Sequence, residues 1–405
     1  MKYNAILTSR QLMCLAVLAL PISANAITYQ SPIVVDNNYV SQHGSIITGN
    51  YQGTINTPAI TVTAGTPVTI INSNVTGPGD LIYGDGVDLT VINTTGVGTN
   101  PGQSGVQKGF FVHIEQAVNV LVENNTTTGS RFAVYINRYV GNFTHTQNIQ
   151  ILNNVVNNID ARPSTGSGYV TSGEYNGHAF QLNNVIGVPN IVIAWNQVIN
   201  KPRQSQVSDI INIYESSGTS ASHILIHDNY LQGAYPANPG TDRYTGGGII
   251  TDGQTSDTLA NATGFVDVYN NQIVSTANYG ISIAAGHDNN FYNNTIISSG
   301  YLSDGSFIPM TFSNGINNYN NYNQPSSVCF NNIAQANNPV GLIASTLGTN
   351  APRRSDYYLP NQTTNNNVSF VPYSNSSPTI ADEQAQLVLW QAKLRFHKMK
   401  VGVAK

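Results

Sequence analysis

Charge is scarce in this chain. Asp, Glu, Lys and Arg make up 9% of its 405 residues, against roughly a quarter in ordinary globular domains. Cysteine is nearly absent. There are two, and Cys14 falls in an N-terminal segment that reads as a leader. Its loss leaves Cys329 alone, which excludes an intramolecular disulfide and reads as a plain buried thiol. Long apolar runs are missing too. The longest, Leu12–Leu20, is too short to span a bilayer. It follows Lys2 and Arg10 and precedes the small-x-small triplet Ala24-Asn25-Ala26. That is the pattern of a cleaved signal peptide over 1–26, with a secreted or periplasmic mature chain from Ile27. Met13, before Cys14, is too large for a lipid-attachment site.

Losing Lys2 and Arg10 takes the net charge from −4 to −6. Residues 27–378 hold 9 bases against 18 acids. A body so acidic is a poor nucleic-acid binder and repels polyanions unless cations intervene. Asn, Thr, Ser, Gly and Tyr supply the polarity instead. Such a surface suits contact with sugars through hydroxyls, amides and aromatic faces, and equally an inert scaffold.

What the chain does have is a repeat: apolar, x, apolar, x, x, Asn, x, apolar. It occurs around Asn125, Asn154, Asn196, Asn229, Asn271 and Asn294, and more weakly around Asn332 after Cys329. Two apolar residues two apart share one face of a strand. The asparagine is read as the residue that takes the left-handed backbone of a sharp bend. A further strand lies between successive bends, at 111–115, 133–137, 179–183, 210–214, 248–252 and 280–284. The second and fourth residues of each point inward. The shortest coils are 22 to 23 residues long. A period in that range, with strands at every copy, predicts a β-solenoid.

Coils of this size, with inward aliphatics and an asparagine at each bend, resemble the right-handed parallel β-helix of the pectate-lyase-like superfamily over roughly residues 40–345. The resemblance implies an all-β fold, a single-stranded solenoid, and leaves the activity open. That superfamily includes lyases, hydrolases, epimerases, adhesins and tailspikes. The paired-aspartate and Gly-His-Gly phrases of polygalacturonases are absent, as is the Asp-Pro-His phrase of mannuronan epimerases. No catalytic residue carries over. Residues 27–345 are expected to form the β-helix with its N-terminal cap, 346–378 a loop-rich segment returning along it, and 379–405 a C-terminal helix. Thr379 and Asp382 form a capping box. Leu387, Trp390 and Leu394 make an apolar stripe that docks on the solenoid.

Parallel stacking turns outward strand positions into columns about 4.8 Å apart. One column runs His113, Tyr135, Gln181, Asn212, Ile250, Ser282. The next runs Glu115, Asn137, Asn183, Tyr214, Asp252, Ala284. Rings and amides dominate both, and such groups make directional bonds to sugar hydroxyls. Inserts at 157–177 and 232–247 enter just before these strands and should wall the same face, bringing Arg243 and Tyr244 to its rim.

Two chemistries fit such a groove. β-Elimination from a uronate needs a cation, from Arg131, Arg138 or Arg243, and a base, from Tyr135, His178 or Tyr214. Hydrolysis needs two carboxylates on either side of one bond, from Glu215, Asp252 or Asp209. His113, Glu115, Asn137, Gln181, Asn183 and Asn212 would hold the polysaccharide. Asp80, Asp85 and Asp88 offer the oxygens Ca²⁺ takes, without a fixed loop pattern. No other cofactor is expected, since zinc spacings, phosphate loops and nucleophile elbows are missing. The rival reading is a non-catalytic adhesin, matrix component or glycan-binding module.

Overall fold

The computed structural model describes residues 27–308, 315–334, 338–342, 367–368, 371–372 and 378–404. The leader and most of 346–378 lie outside these residues. Val-, Ile- and Thr-rich segments form three strands per coil, and equivalent strands pair in parallel along the axis. The described residues give sheets of 10, 11 and 11 strands. The first sheet runs from Ile33–Val35 to Ile316–Asn318, the second from Ile46–Ile47 to Asn367–Val368, and the third from Asn50–Gln52 to Val371–Pro372. The molecule is thus a right-handed parallel β-helix with a C-terminal helix. Asn367–Val368 and Val371–Pro372 pair on Ile333–Ala334 and Pro339–Val340, so two of the sheets continue past residue 345.

The registered columns hold wherever the strands pair. Val112, Val134, Phe180, Ile211, Ile249 and Ile281 stack inward with 1% exposure or less. Burial of each such side chain contributes roughly 1.5–3 kcal/mol. Beside them Thr251 takes the place of an aliphatic between Ile213 and Ile283, its Oγ1 buried and without a hydrogen-bond partner.

The asparagine ladder has the expected members and a different local geometry. Asn125, Asn154, Asn196, Asn229, Asn271 and Asn294 each donate Nδ2–H to the next Oδ1 at 2.9–3.2 Å, the last of these bonds reaching Asn338. The left-handed residue is the one before: Asn124, Asn153, Trp195, Asp228, Asn270 and Asn293, with φ of 54–58°. The ladder residue therefore does not make the bend. It fills the space inside the bend and bonds the backbone there. In the early coils Asn72 and Asn93 keep the left-handed place, and Ser73 and Thr94 stand where the ladder residue would be. Asn332 belongs to a second stack with Asn289. The weak seventh copy was thus out of register: Asn332 stands directly before a second-sheet strand, and the ladder passes to Asn338 after it.

Two elements cover the coils. A seven-residue helix, α1 (Asn37–His43), missed in the sequence, is capped by Asp36 and packs at the N-terminal end through Tyr39 and Val40. The C-terminal helix α2 (Ile380–His397) has the expected capping box. Trp390 is fully buried and Leu394 is 8% exposed, against Tyr230 and Val274 of the third sheet. Trp390 Nε1 donates to the Asp228 carbonyl at 2.8 Å, and Lys393 pairs with the Asp228 carboxylate. The helix runs against the direction of coil growth. Glu383 meets Ser299, Gln386 meets Gln272, and His397 lies on Trp195. The tail continues to Asn153, Thr126 and Asn93 through the amides of Gly402, Val403 and Ala404.

Candidate functional site

Strand register alone puts His113, Tyr135, Gln181 and Asn212 in one line on the outer face of the first sheet. Asn183, Tyr214 and Asp252 form the neighbouring line. Together with Glu115, Arg131 and His178 they line a cavity of about 500 Å³. Two depressions adjoin it. One, of about 640 Å³, shares Phe110, His113 and Arg131 and reaches Tyr83 and Thr61. The other, of about 330 Å³, shares His178, Asn212 and Asp252 and reaches Asp209 and Tyr322. The face is thus a continuous furrow along the axis.

Both inserts stand beside it and are tied to each other. Gly173 N–H donates to Asp242, and Thr245 Oγ1–H to Glu174, at 2.8 Å each. The first insert is pinned below by Asp160, which takes Lys108 at 2.9 Å and Arg162 at 2.7 Å in near-complete burial. Asn176 from this insert reaches the cavity wall and accepts from Arg131 Nε at 2.7 Å.

Arg131 lies over the rings of Phe110 and Phe132, 5.7 and 5.3 Å from their centroids. Among the described residues it forms no ion pair. His178 is buried against Phe132. Burial pushes its imidazole down to about 4, and the Arg131 charge acts in the same direction. It is therefore neutral at ordinary pH. Its Nδ1 lies 2.8 Å from the Asp209 carbonyl and 3.2 Å from the Asp209 amide, and donation along the shorter contact leaves Nε2 as the acceptor. The Tyr135 hydroxyl accepts from Asn183 at 2.9 Å, and burial raises its pKa. It stays protonated, with its own hydrogen available to donate.

At the N-terminal end His113 sits between two carboxylates: Nδ1 is 2.7 Å from Asp80 and Nε2 is 3.1 Å from Glu115. Both ring nitrogens donate only in the imidazolium form. Glu115 also accepts from Asn137, and Asn137 from Asn183, at 2.8 and 3.1 Å. Asn137 thus braces the face without lining the cavity. At the other end Asp252 accepts from Asn212, Gly253 N–H and the Tyr322 hydroxyl, and burial raises its pKa. Asp209 is more deeply buried, and burial pushes its carboxyl up to about 8. Tyr279 and the Gly247 amide donate to it. Gly247 makes room for that contact, since a Cβ there would fall 2.3 Å from the Tyr279 ring.

Four expected residues are elsewhere. Glu215 turns away at a φ of 43° and is buried against Gln254 and Asn261, where it shares a hydrogen bond with Asp257 rather than facing Asp252. Tyr244 is 1% exposed, with its hydroxyl on the Ser208 carbonyl. Its ring is too apolar to leave at a rim when the core beneath is open. Arg138 and Arg243 are exposed and line none of the three depressions. Asp80, Asp85 and Asp88 do not converge: they hold His113, Gln116 and Asn119 respectively. Among the described residues no group of three or more His, Cys, Asp or Glu side chains could hold a metal ion.

Phe110, Phe132, Tyr279 and Tyr322 were missed, and Asp80 was read only as a Ca²⁺ candidate, not as a partner of His113. Phe110 and Phe132 pair directly, and extending the aligned strands by one residue at the start would have found them. Asp80 and Tyr322 sit outside the strands, where register gives no signal. The fold and furrow define a parallel β-helix with a polar, aromatic-lined groove on one sheet. No family model matches the chain, and no curated protein matches it.

Proposed function

We propose that the furrow is the active site of a secreted or periplasmic polysaccharide lyase that cleaves beside a uronate by β-elimination. One observation carries this reading: Arg131, which forms no ion pair among the described residues, shares a cavity with a neutral His178 and a protonated Tyr135. The guanidinium neutralises the uronate carboxylate and stabilises the charge that develops when C5 loses its proton. His178 Nε2 takes that proton. The electron pair forms the C4–C5 double bond and expels the C4 oxygen, which takes a proton from Tyr135. Gln181, Asn183 and Asn212 supply amides for the flanking hydroxyls, and Phe110 a ring face for stacking.

The test is incubation with a polysaccharide panel, with and without Ca²⁺, following ultraviolet absorbance of the unsaturated uronate and, separately, new reducing ends. Unsaturated product lost in Arg131→Ala and His178→Ala supports elimination. Because His178 acts as a base, kcat should fall as pH drops through about 4, with no matching loss between pH 5 and 7. A second reading rests on the two carboxyls at the C-terminal end, where a protonated Asp209 neighbours Asp252, the acid and base that hydrolysis requires. Reducing ends without unsaturation, abolished in Asp252→Asn, would establish it. Binding without either product would leave a glycan-binding module.

A further inference from the structure

The charges along the furrow restrict which polymer it takes. Asp80 and Glu115 flank His113 at the N-terminal end. Even with an imidazolium between them, that trio is net negative. One coil further on comes Arg131, on which the Asp80 charge acts, while the Glu115 charge reaches Tyr135 on the strand that follows Arg131. The next two coils present Gln181, Asn183, Asn212 and Tyr214, all neutral. Asp252 follows on the coil after that. Among the described residues lining the three depressions, no second cation is free to join Arg131. Lys108, at the edge of the adjoining depression, is spent on Asp160, as is Arg162, and Arg138 and Arg243 lie outside the groove. A single anionic group thus fits at one place, between acidic flanks.

Resting on the lyase reading of the same groove, we infer that the substrate is a heteropolysaccharide whose uronates are separated by neutral sugars, and not a homopolyuronate. A homopolyuronate carries a carboxylate on every ring. With one ring's carboxylate on Arg131, the next would fall beside Glu115 and Asp80, or run toward Asp252, with no counter-charge. A neutral ring instead meets Phe110 and Tyr83 on the N-terminal side and three amides on the C-terminal side. Glu115 and Asp80 are the residues that set this preference, since they reject the adjacent charge.

Affinity of the purified full chain is measured by titration against two groups of polymers at low salt, once with EDTA and once with Ca²⁺. One group alternates uronate with an uncharged sugar, as in hyaluronan or heparosan. The other is polygalacturonate and alginate. The expected result is affinity for at least one alternating polymer about tenfold or more above either homopolyuronate, in both ionic conditions. Arg131→Ala should abolish the difference, and Glu115→Gln should narrow it by improving homopolyuronate binding alone. Equal or tighter binding of a homopolyuronate, including binding that Ca²⁺ bridges into first place, overturns the inference, as does absence of binding to every alternating polymer. Preferential binding of an alternating polymer without unsaturated product upholds the charge argument and sinks the lyase reading, so the two fail separately.

Discussion

Two buried side chains behave unlike the residues around them. Thr251 carries a hydroxyl into an aliphatic column and finds no partner for it. Thr251→Val keeps the shape and removes the desolvated group, so it should raise stability by about 1–2 kcal/mol, read as a higher denaturant midpoint at unchanged slope. Asp209 keeps its proton in the folded state up to about pH 8, whereas an unfolded aspartate releases it near 4. Between those values the native state binds more protons than the unfolded one, and stability therefore falls as pH rises from about 4 to about 8. Glu383 and Asp257, each pushed up to about 7, add slopes of the same sign. Asp209→Asn should flatten the melting temperature against pH over this window by its own share, with the two other slopes remaining. An unchanged profile would place Asp209 in contact with water.

Elements show why the sequence was partly legible. Alternation in strands such as 133–137 and 210–214 has a period of two, and a slip by one residue would expose the whole aliphatic column. Register was therefore readable, and with it the groove residues inside the aligned strands, though not Phe110, Phe132 and Tyr279 at the strand starts. Glu215 follows a strand directly, yet a left-handed backbone there reverses its direction, and no apolar pattern marks that turn. Tyr244 and Arg243 come from an insert with no periodicity, where Tyr looks the same whether buried or not. The ladder was found because asparagine recurs, but the residue that makes the bend was misassigned by one position, since both places are often Asn. Trp195 exposes the difference: it takes the left-handed place at φ 58°, while Asn196 continues the ladder. Replacing Asn196 by Ala should cost about 3 kcal/mol. It strips the acceptor from Asn154 and the donor from both Asn229 and the Ile151 carbonyl. A loss no larger than that of an exposed Asn→Ala control would show that water replaces the amide.

The whole molecule is more than a stack. An unbraced solenoid is coupled only between neighbours, and its end coils open independently. Here α2 and the tail touch coils from Ser299 back to Asn93. Trp390→Ala should cost about 3–5 kcal/mol and turn one cooperative unfolding transition into two by separate probes of the N- and C-terminal coils. A single transition in the variant would show that the sheets alone carry the coupling.

That strap also imposes an order on biosynthesis. Coils can be added one upon another as the chain emerges, each finding its template already in place. The corner formed by Trp195, Tyr230 and Val274 has no such luck, since the residues that cover it are synthesised after all the coils they cross. Until then a growing chain presents a strip of bare aromatic and aliphatic surface along one edge. Docking of α2 can thus follow only after those coils have been made, and a chaperone that holds the unfinished protein would find its grip there.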